Sequence, residues 1–530
     1  MKRVTKIFSC LLALSAASVF LSSCSTNTTS KGKFVIRYYP GGYGTDWIEE
    51  YAKAVLAEEK GTTPDKIVKG VDYELIADSN PGADKNLKSS TSCPDLVFAN
   101  SLSAGQISAG LIEPIQDVYE TEITTSQGKM KIKDYLVEDS AEQFCYQKRY
   151  GQGERLAYGI PFTNIPISIA YNETLLQKVE HVSTNYTINE GAISTETNKW
   201  LRAPETVDEL LAYFEDIDNY NSTNGTNIVQ FGWSLADGAN WFEPLYATWW
   251  AQVQGLDKEN QYPGEGTYYD FWEYKSADIY KQTGIQKGLE TVQKLIVKDG
   301  SFTNSHPNCK TYTIKDIQPA FARGEIAMCL TGDFFEHEYA DILKNTTDTF
   351  KLMRIPSIDG AETNADGSIK KLTFVNTSNV LFIPANAKNK DIAKKFLIYS
   401  SQESQVISFL KQTGGIRSFN FNPYELASDY QFSAFQESTI DLYFHADDLL
   451  MKYPRNAADK NNISPIYFYE GVNEVLFSVI DYPSLLNALC NYTPKQICLE
   501  TVMSGQVKKF ECLYDRACTY FEQWNRIYGL

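Results

Sequence analysis

Alternating strand-like and helix-like segments near the amino terminus limit the fold of this chain more than any other feature. Residues 34–39 and 71–76 have the composition of strands, and residues 95–99 resemble a buried strand. Between the first two strands we predict a helix with Asp46 as its N-cap and Gly61 at its end. Its apolar stripe has the i, i+3, i+4, i+7 spacing of an amphipathic helix, with Ile48, Tyr51, Ala52, Val55 and Leu56 on one face. This order predicts an α/β fold, a mostly parallel sheet flanked by helices.

A fold of this kind also predicts where a ligand would bind. In open α/β sheets, ligands bind in the crevice beyond the carboxyl ends of the strands. The loops at residues 40–44 and 100–104 follow predicted strands and should lie at that edge. We therefore expect ligand contacts in these two loops.

Composition restricts the classes of partner. The chain has 66 Asp and Glu against 49 Lys and Arg, for a formal net charge of −17. Such an acidic chain is a poor match for nucleic acid, so we expect no nucleic-acid partner. The 34 Tyr and 8 Trp exceed ordinary usage. Most of them should be core residues, but the surplus also suits surfaces that stack on flat ligand faces.

Motifs for metal, cofactor or catalytic chemistry do not stand out. The four histidines are dispersed, and Glu336-His337-Glu338 lacks the spacing of an HExxH zinc site. The glycines at 41–44 and 151–153 are incomplete dinucleotide fingerprints and fit turns better. We therefore expect no metal and no cofactor.

The first 33 residues have the pattern of an export and anchoring segment. A basic start precedes the apolar residues 7–20, a span too short for a comfortable transmembrane helix. Residues 21–24, Leu-Ser-Ser-Cys, resemble the lipobox of bacterial lipoproteins. The resemblance implies a signal peptide at 1–23, a lipid on Cys24, and a flexible tether at 24–33. The alternative is an ordinary secretory peptide with an incidental cysteine.

Cysteine usage leaves the redox state open. Of ten cysteines, Cys10 lies in the predicted signal peptide and Cys24 is the predicted lipidation site. Eight remain, and their pairing cannot be deduced from sequence. The closest pairs are Cys490 with Cys498 and Cys512 with Cys518, for which the alternative is free buried thiols.

Four stretches in register resemble the extracellular solute-binding proteins of the maltose-binding type that serve ABC importers. In order along the chain, they match the segment of the family that crosses into its second lobe and the start of a helix. They also match a helix–strand unit that contains a glycine, and the segment that returns to the first lobe. Val207 stands where the family usually has Trp, and the last hundred residues match poorly. The four stretches are 158–164 with 169–172, 203–210, 320–328 with 332–333, and 383–390 with 413–416.

The resemblance implies a periplasmic-binding-protein fold with two lobes. Each lobe is a mostly parallel sheet flanked by helices, and hinge strands join the two. Carried over to this chain, lobe one comprises 34–162 plus 373–420. Lobe two comprises 163–372 plus 421–530. Closure about the hinge would enclose a ligand between them, without catalysis.

The same resemblance implies a set of cleft residues. Carboxylates and amides would bridge sugar hydroxyls, and aromatic rings would cover the apolar faces of a sugar. Phe334 stands where sugar binders often have Trp. For Trp241 and the two C-terminal tyrosines, a core position is the alternative. The predicted ligand-binding residues are Gly42, Tyr43, Asn100, Ser101, Asn164, Trp241, Glu243, Asp333, Phe334, Asn376, Ser378, Tyr467 and Tyr469.

Together these patterns predict a monomeric, lipid-anchored protein on the outer face of a bacterial cell membrane. It would bind a carbohydrate, an oligosaccharide by expectation, and deliver it to ABC permease subunits. We expect no enzymatic activity. The alternatives are a surface glycoside hydrolase, which would pair two carboxylates with aromatic subsites, and a binding protein for a non-sugar solute or a sensor system.

Overall fold

The computed structural model describes most of residues 32–451. The described residues are 32–149, 152–234, 241, 243–256, 262, 264–269, 282–296, 308 and 311–451. The predicted signal peptide, Cys24, Tyr467, Tyr469 and the two C-terminal cysteine pairs lie outside them. Cys93, Cys145 and Cys329 are free thiols.

Strands and helices alternate along the described chain. The strands are β1 Phe34–Tyr38, β2 Tyr73–Ala77, β3 Leu96–Ala99, β4 Glu122–Thr125, β5 Gly128–Lys131, β6 Cys145–Arg149, β7 Gln152–Ala157, β8 Ile160–Asn172, β9 Val229–Gly232, β10 Ile326–Gly332, β11 Phe350–Met353, β12 Leu372–Phe382 and β13 Asp448–Met451.

The longer helices are α1 Asp46–Glu59, α2 Val207–Asn224, α3 Glu243–Gln254, α4 Thr283–Ile296, α5 Ile314–Ala322, α6 Lys390–Ser400, α7 Glu403–Thr413 and α8 Ala434–Phe444. Short helical turns connect the other elements. They are Pro64–Lys66, Asp84–Leu87, Ala104–Ser108, Gln116–Tyr119, Ile132–Tyr135, Glu138–Glu142, Glu173–Leu176, Phe335–Glu338, Ala340–Leu343 and Pro423–Leu426.

One nine-stranded sheet runs through the molecule. Its main path is β2-β1-β3-β12-β8-β10-β9, with β11 beside β8 and β13 beside β12. Strands β1, β2 and β3 pair in parallel, as do β9 with β10 and β12 with β13. Every antiparallel pairing in this sheet involves β8 or β12, the two longest strands. The predicted α/β class, with two lobes joined by long strands, is confirmed.

Strand β8 belongs to both lobes. Residues 160–166 pair with β12, whereas residues 167–172 pair with β10 and β11. All 13 of its residues are buried. We call the part of the sheet around β1, β2 and β3 lobe one, and the part around β9, β10 and β11 lobe two. Because β8 crosses from one to the other, it fixes the hinge between them.

Local sequence signals explain most helix positions. The predicted apolar stripe of α1 is buried from Ile48 to Leu56. Its N-cap is Thr45 and not Asp46, so that prediction was wrong by one residue, and Thr45 makes no side-chain cap hydrogen bond. At α2, by contrast, the sequence predicts Thr206 as the N-cap. Its hydroxyl accepts from the Glu209 amide at 3.1 Å, which confirms that cap.

The apolar stripe of residues 391–411, with Gly414 and Gly415 after it, predicts one long helix. That prediction is wrong, because α6 and α7 are separate. The break falls at Ser401 and Gln402, and Gln402 has an extended backbone. The hydroxyls of Ser400 and Ser401 both donate to the Leu397 carbonyl at 2.8 Å. The Leu397 carbonyl also keeps its helical bond to the Ser401 amide, and the Gln402 amide bonds the Tyr399 carbonyl at 3.1 Å. This tighter i−3 bond ends the helix just before the extended residue Gln402. The predicted end at Gly414 is confirmed, with a φ of 75°.

Among the residues described here, no helix combines the length and apolar character needed to cross a membrane.

Candidate functional site at the contact between the lobes

A glycine-rich loop of lobe one rests directly on the end of β10 in lobe two. A Cβ atom on Gly42 would lie 2.7 Å from the Phe334 Cβ, and one on Gly44 would lie 2.7 Å from His337 Cε1. The Gly42 carbonyl lies 3.1 Å from His337 Nδ1. Only glycine allows the backbone of this loop to approach these side chains so closely without rearrangement. The loop after β1 is therefore shaped to contact lobe two.

Tyr43 and Asp333 form the central polar contact between the lobes. The Tyr43 hydroxyl donates to Asp333 Oδ1 at 2.5 Å. The other carboxylate oxygen, Oδ2, accepts from the Ile416 amide at 2.8 Å. Tyr43 is 4% exposed and Asp333 is 1% exposed. Both carboxylate oxygens thus have protein partners, out of contact with bulk water.

Burial determines the protonation behaviour of this pair. Desolvation raises the pKa of Asp333 to about 7, although the hydrogen bonds from Tyr43 and Ile416 act in the opposite direction. Burial and the neighbouring carboxyl raise the pKa of Tyr43 well above its ordinary value. Partial desolvation also raises the pKa of Glu338, which lies against Gly42. The contact is therefore easier to form when its carboxyl groups are neutral.

Aromatic rings surround the contact on both sides. The Tyr43 ring lies 5.3 Å from Phe409 of lobe one and 6.4 Å from Phe334 of lobe two. Trp241 continues the row, 6.4 Å from Phe334 in an edge arrangement. Trp241 and Phe334 are both half-buried. They could offer ring edges or faces to an apolar ligand surface.

Asn164, predicted as a cleft residue, lies in the middle of β8 and is fully buried. Its Oδ1 accepts from three hydroxyls, and its Nδ2 donates to the Tyr443 hydroxyl at 2.9 Å. The three donors are Ser140 at 2.9 Å, Thr377 at 3.0 Å and Ser418 at 2.8 Å. The amide therefore links four separate chain segments at the hinge. Its predicted role as a ligand contact stays a prediction.

The remaining predicted site residues are placed less centrally. Asn100 and Ser101 are exposed in the loop after β3, and Asn376 is half-buried on β12. The structure describes Glu243, at the start of α3, and Ser378, on β12, by their backbones alone. Tyr467 and Tyr469 lie outside the described residues. Contacts bring together Gly42, Tyr43, Trp241, Asp333 and Phe334 from the predicted set.

Sequence reasoning missed several members of this contact. His337 is one of four histidines that the sequence spacing leaves without a predicted role, yet its ring lies against Gly42 and Gly44. Gly415 is predicted only to end the helix before it, but a Cβ there would lie 2.6 Å from the Tyr43 ring. The available signal was the glycine clusters at 41–44 and 414–415, since glycines outside helices often mark close backbone approach.

A groove of about 600 Å³ lies elsewhere on lobe two. It is bounded by the start of α2, one face of α4 and residues 357–369. Its charged lining side chains are Asp208, Lys287, Glu290, Lys294 and Asp359. None of the predicted ligand-binding residues lines it. No group of three or more metal-ligating side chains occurs in the part of the chain that the structure describes.

Replacing Asn164 tests whether it acts chiefly in the hinge. Asn164→Ala leaves four buried hydroxyls without their shared partner, so we expect the free energy of unfolding to fall by about 3 kcal/mol. Urea denaturation measures this change. The control Asn100→Ala alters an exposed amide and should leave stability unchanged. Wild-type stability in Asn164→Ala together with lost ligand binding would instead make Asn164 a ligand contact.

The raised pKa of Asp333 predicts a pH-dependent stability. The folded protein holds this proton up to about pH 7, whereas the unfolded chain releases it near pH 4. The free energy of unfolding should therefore fall as the pH rises through this window, by ~1.4 kcal/mol for each unit crossed. Urea denaturation of wild type and Asp333→Asn at pH 5 and pH 8 isolates the effect, because the other groups cancel. A pH-independent difference between the two proteins would contradict it.

Comparison with known proteins gives the fold a family. The model of the bacterial extracellular solute-binding protein family matches residues 41–406. Among curated proteins, none matches this chain.

Solved structures of similar fold cover nearly the whole chain. The solute-binding protein RafE in complex with raffinose is 15% identical, with a TM-score of 0.55, and the match covers 90% of this chain and 99% of RafE. RafE is known from Streptococcus pneumoniae. The bacterial solute receptor AcbH, described as preferring β-D-galactopyranose, is 14% identical, with a TM-score of 0.56, over 91% of this chain and 99% of AcbH.

A third structure is an ABC transporter solute-binding protein from Thermotoga lettingae bound with α-D-tagatose. It is 15% identical, with a TM-score of 0.53, and the match covers 90% of this chain and all of that protein. At these identities the likeness concerns the fold. Because the family match spans more than half of the sequence, this chain belongs to the bacterial extracellular solute-binding protein family.

Proposed function

We propose that this protein is the membrane-anchored solute-binding component of an ABC importer, and that it binds a carbohydrate between its lobes. Hinge closure would enclose the sugar and present the closed form to the permease. No catalytic step is needed for this role. We keep the predicted lobe boundaries, 34–162 plus 373–420 and 163–372 plus 421–530, as part of the proposal.

The observation that carries the proposal is the arrangement of the two lobes about β8. A strand shared by both lobes, with loops from each lobe meeting beside it, is suited to opening and closing around a ligand. The meeting point places the half-buried rings of Trp241 and Phe334 beside the loop after β1. Rings of that kind suit the apolar faces of a sugar.

The relatives support the choice of ligand class. RafE is described with raffinose, AcbH with β-D-galactopyranose and the Thermotoga protein with α-D-tagatose. All three ligands are carbohydrates. We therefore favour a sugar over a peptide or a polyamine for this chain.

The anchoring part of the proposal rests on residues 21–24. A lipid on Cys24, followed by the polar residues 25–33, would hold the two lobes near a membrane permease on a short flexible tether. The lobes would then capture ligand outside the membrane while staying close to the permease.

Isothermal titration calorimetry tests the ligand class. We expect one molecule of sugar to bind per chain when raffinose, D-galactose, tagatose and maltose-type oligosaccharides are titrated. Peptides and polyamines serve as the contrasting set, and these should give no heat beyond dilution. Silence across the sugars with binding to a peptide or a polyamine would refute the carbohydrate part and leave solute binding intact.

Substitution of the predicted anchor tests localisation. Cys24→Ala removes the thiol that would carry the lipid, so the protein should leave the membrane fraction and lose incorporation of labelled palmitate. Cell fractionation and labelling measure both. Cys10→Ala, inside the predicted signal peptide, is the matched control and should behave like wild type. If Cys24→Ala fractionated in the same way as wild type, the result would favour an ordinary secretory signal peptide without a lipid on Cys24.

A further inference from the structure

Arg417 is a fully buried cation in lobe one, close to the strand that crosses between the lobes. Its backbone bridges to Thr163 of β8. Its Nε donates to the Phe162 carbonyl at 2.9 Å, and its Nη1 donates to the Ser400 carbonyl at the end of α6 at 3.1 Å. Burial lowers the pKa of Arg417 to about 10, so the side chain is still charged at neutral pH. The interior of lobe one therefore holds a permanent positive charge.

No carboxylate compensates this charge within the part of the chain that the structure describes. The groups that act on Arg417 electrostatically are the phenols of Tyr51 and Tyr135. Aromatic rings surround the guanidinium instead, with its Cζ 3.8 Å from the centre of the Phe162 ring and 5.2 Å from that of Phe419. The attraction of a ring face replaces only part of the hydration that a buried ion loses. The charge thus lacks a full counterion.

Two hydrogen-bond donors at this position have no partner among the described residues. Arg417 Nη2 is buried and makes no hydrogen bond, and the same is true of the Tyr135 hydroxyl. Phe419 contacts both side chains, since its ring centre also lies 5.0 Å from that of Tyr135. Burial raises the pKa of Tyr135, so its phenol keeps the proton that it would donate. Buried donors are nearly always satisfied in folded proteins, so both groups point to a further acceptor.

We propose that Arg417 Nη2 and the Tyr135 hydroxyl bind a small monovalent anion, chloride in the first place, inside lobe one. A halide ion accepts hydrogen bonds from several donors at once and carries the single negative charge that the guanidinium lacks. A water molecule would satisfy the same donors but would leave the charge uncompensated. The proposal does not depend on which solute the protein binds.

Nearby carboxylates are not placed to do the same work. Glu403 acts electrostatically on Tyr135 but is not among the groups that act on Arg417. Its two carboxylate oxygens accept from the hydroxyl and the amide of Ser126, at 2.9 and 2.8 Å. Glu50 is exposed on α1 and also does not act on Arg417. Within the described chain, a diffusible ion is therefore the counterion that remains.

The bound anion would stabilise the folded protein. The partners of Arg417 and Tyr135 belong to β8, to the end of α6 and to the turn Ile132–Tyr135, so the unfolded chain does not hold the site together. An anion that binds only the folded state lowers the unfolding equilibrium constant in proportion to its occupancy. For half-saturation at roughly 10 mM, about 100 mM chloride lowers that constant about 10-fold.

Urea denaturation in two salts of equal ionic strength is the primary measurement. Sodium chloride supplies the small anion, whereas gluconate is too large to enter a buried site between packed rings. For the full chain we expect an unfolding equilibrium constant about 10-fold lower in chloride, with a saturable dependence on its concentration. Equal stability of wild type in the two salts would overturn the proposal.

Two variants, each with a matched control, separate the site from a general salt effect. Tyr135→Phe removes a hydroxyl that has no protein partner, so it should fold as well as wild type in gluconate and lose most of the response to chloride. Tyr119→Phe removes a buried hydroxyl that donates to the Gly159 carbonyl, and it should keep the response.

The cation is tested in the same way. Arg417→Met should abolish the response to chloride, whereas Arg354→Met removes an arginine that bonds the Leu442 carbonyl in lobe two and should keep it. If Arg417→Met does not fold, Tyr135→Phe decides the question. A response to chloride of wild-type size in Tyr135→Phe would overturn the proposal.

Crystals grown in sodium bromide locate the ion directly. We expect an anomalous difference peak within hydrogen-bond distance of Arg417 Nη2 and the Tyr135 hydroxyl. A water molecule there, without anomalous signal, would overturn the proposal. A bromide peak in a protein whose stability ignores chloride and bromide would mean an adventitious ion only, and would overturn it as well.

Discussion

A single strand shared by the two lobes is the constraint on which the rest of this structure depends. β8 contributes its first half to lobe one and its second half to lobe two, and every one of its residues is buried. A polar side chain in such a strand is stable only if its hydrogen bonds are satisfied. Asn164 meets that requirement through four hydroxyls from four different segments. The hinge is thus defined chemically as well as topologically.

The contact between the loop after β1 and the end of β10 uses other groups. Where Asn164 joins four segments around β8, Tyr43 and Asp333 join the two lobes directly. Glycine supplies the fit and a tyrosine hydroxyl supplies the bond. Both kinds of contact bury a polar side chain and satisfy it with protein partners.

Local patterns predicted much of the fold, whereas pairings over long sequence distances escaped them. The buried stripe from Ile48 to Leu56 and the Thr206 cap each depend on residues within one or two helical turns. The break between α6 and α7 depends on one extended residue, Gln402, which the apolar spacing alone does not reveal. Tyr43 and Asp333 are 290 residues apart, so each could be predicted as a cleft residue without any indication that they meet.

The place of β12 in the sheet has a consequence for the order in which the chain can fold. This strand lies between β3 and β8, so lobe one lacks a central strand until residues 372–382 have been made. The Arg417 bridge to Thr163 and the Ile416 bond to Asp333 come later still. Contacts of such high sequence separation form slowly, because long loops must close first. A growing chain therefore reaches most of its length before its first lobe can close into a stable core.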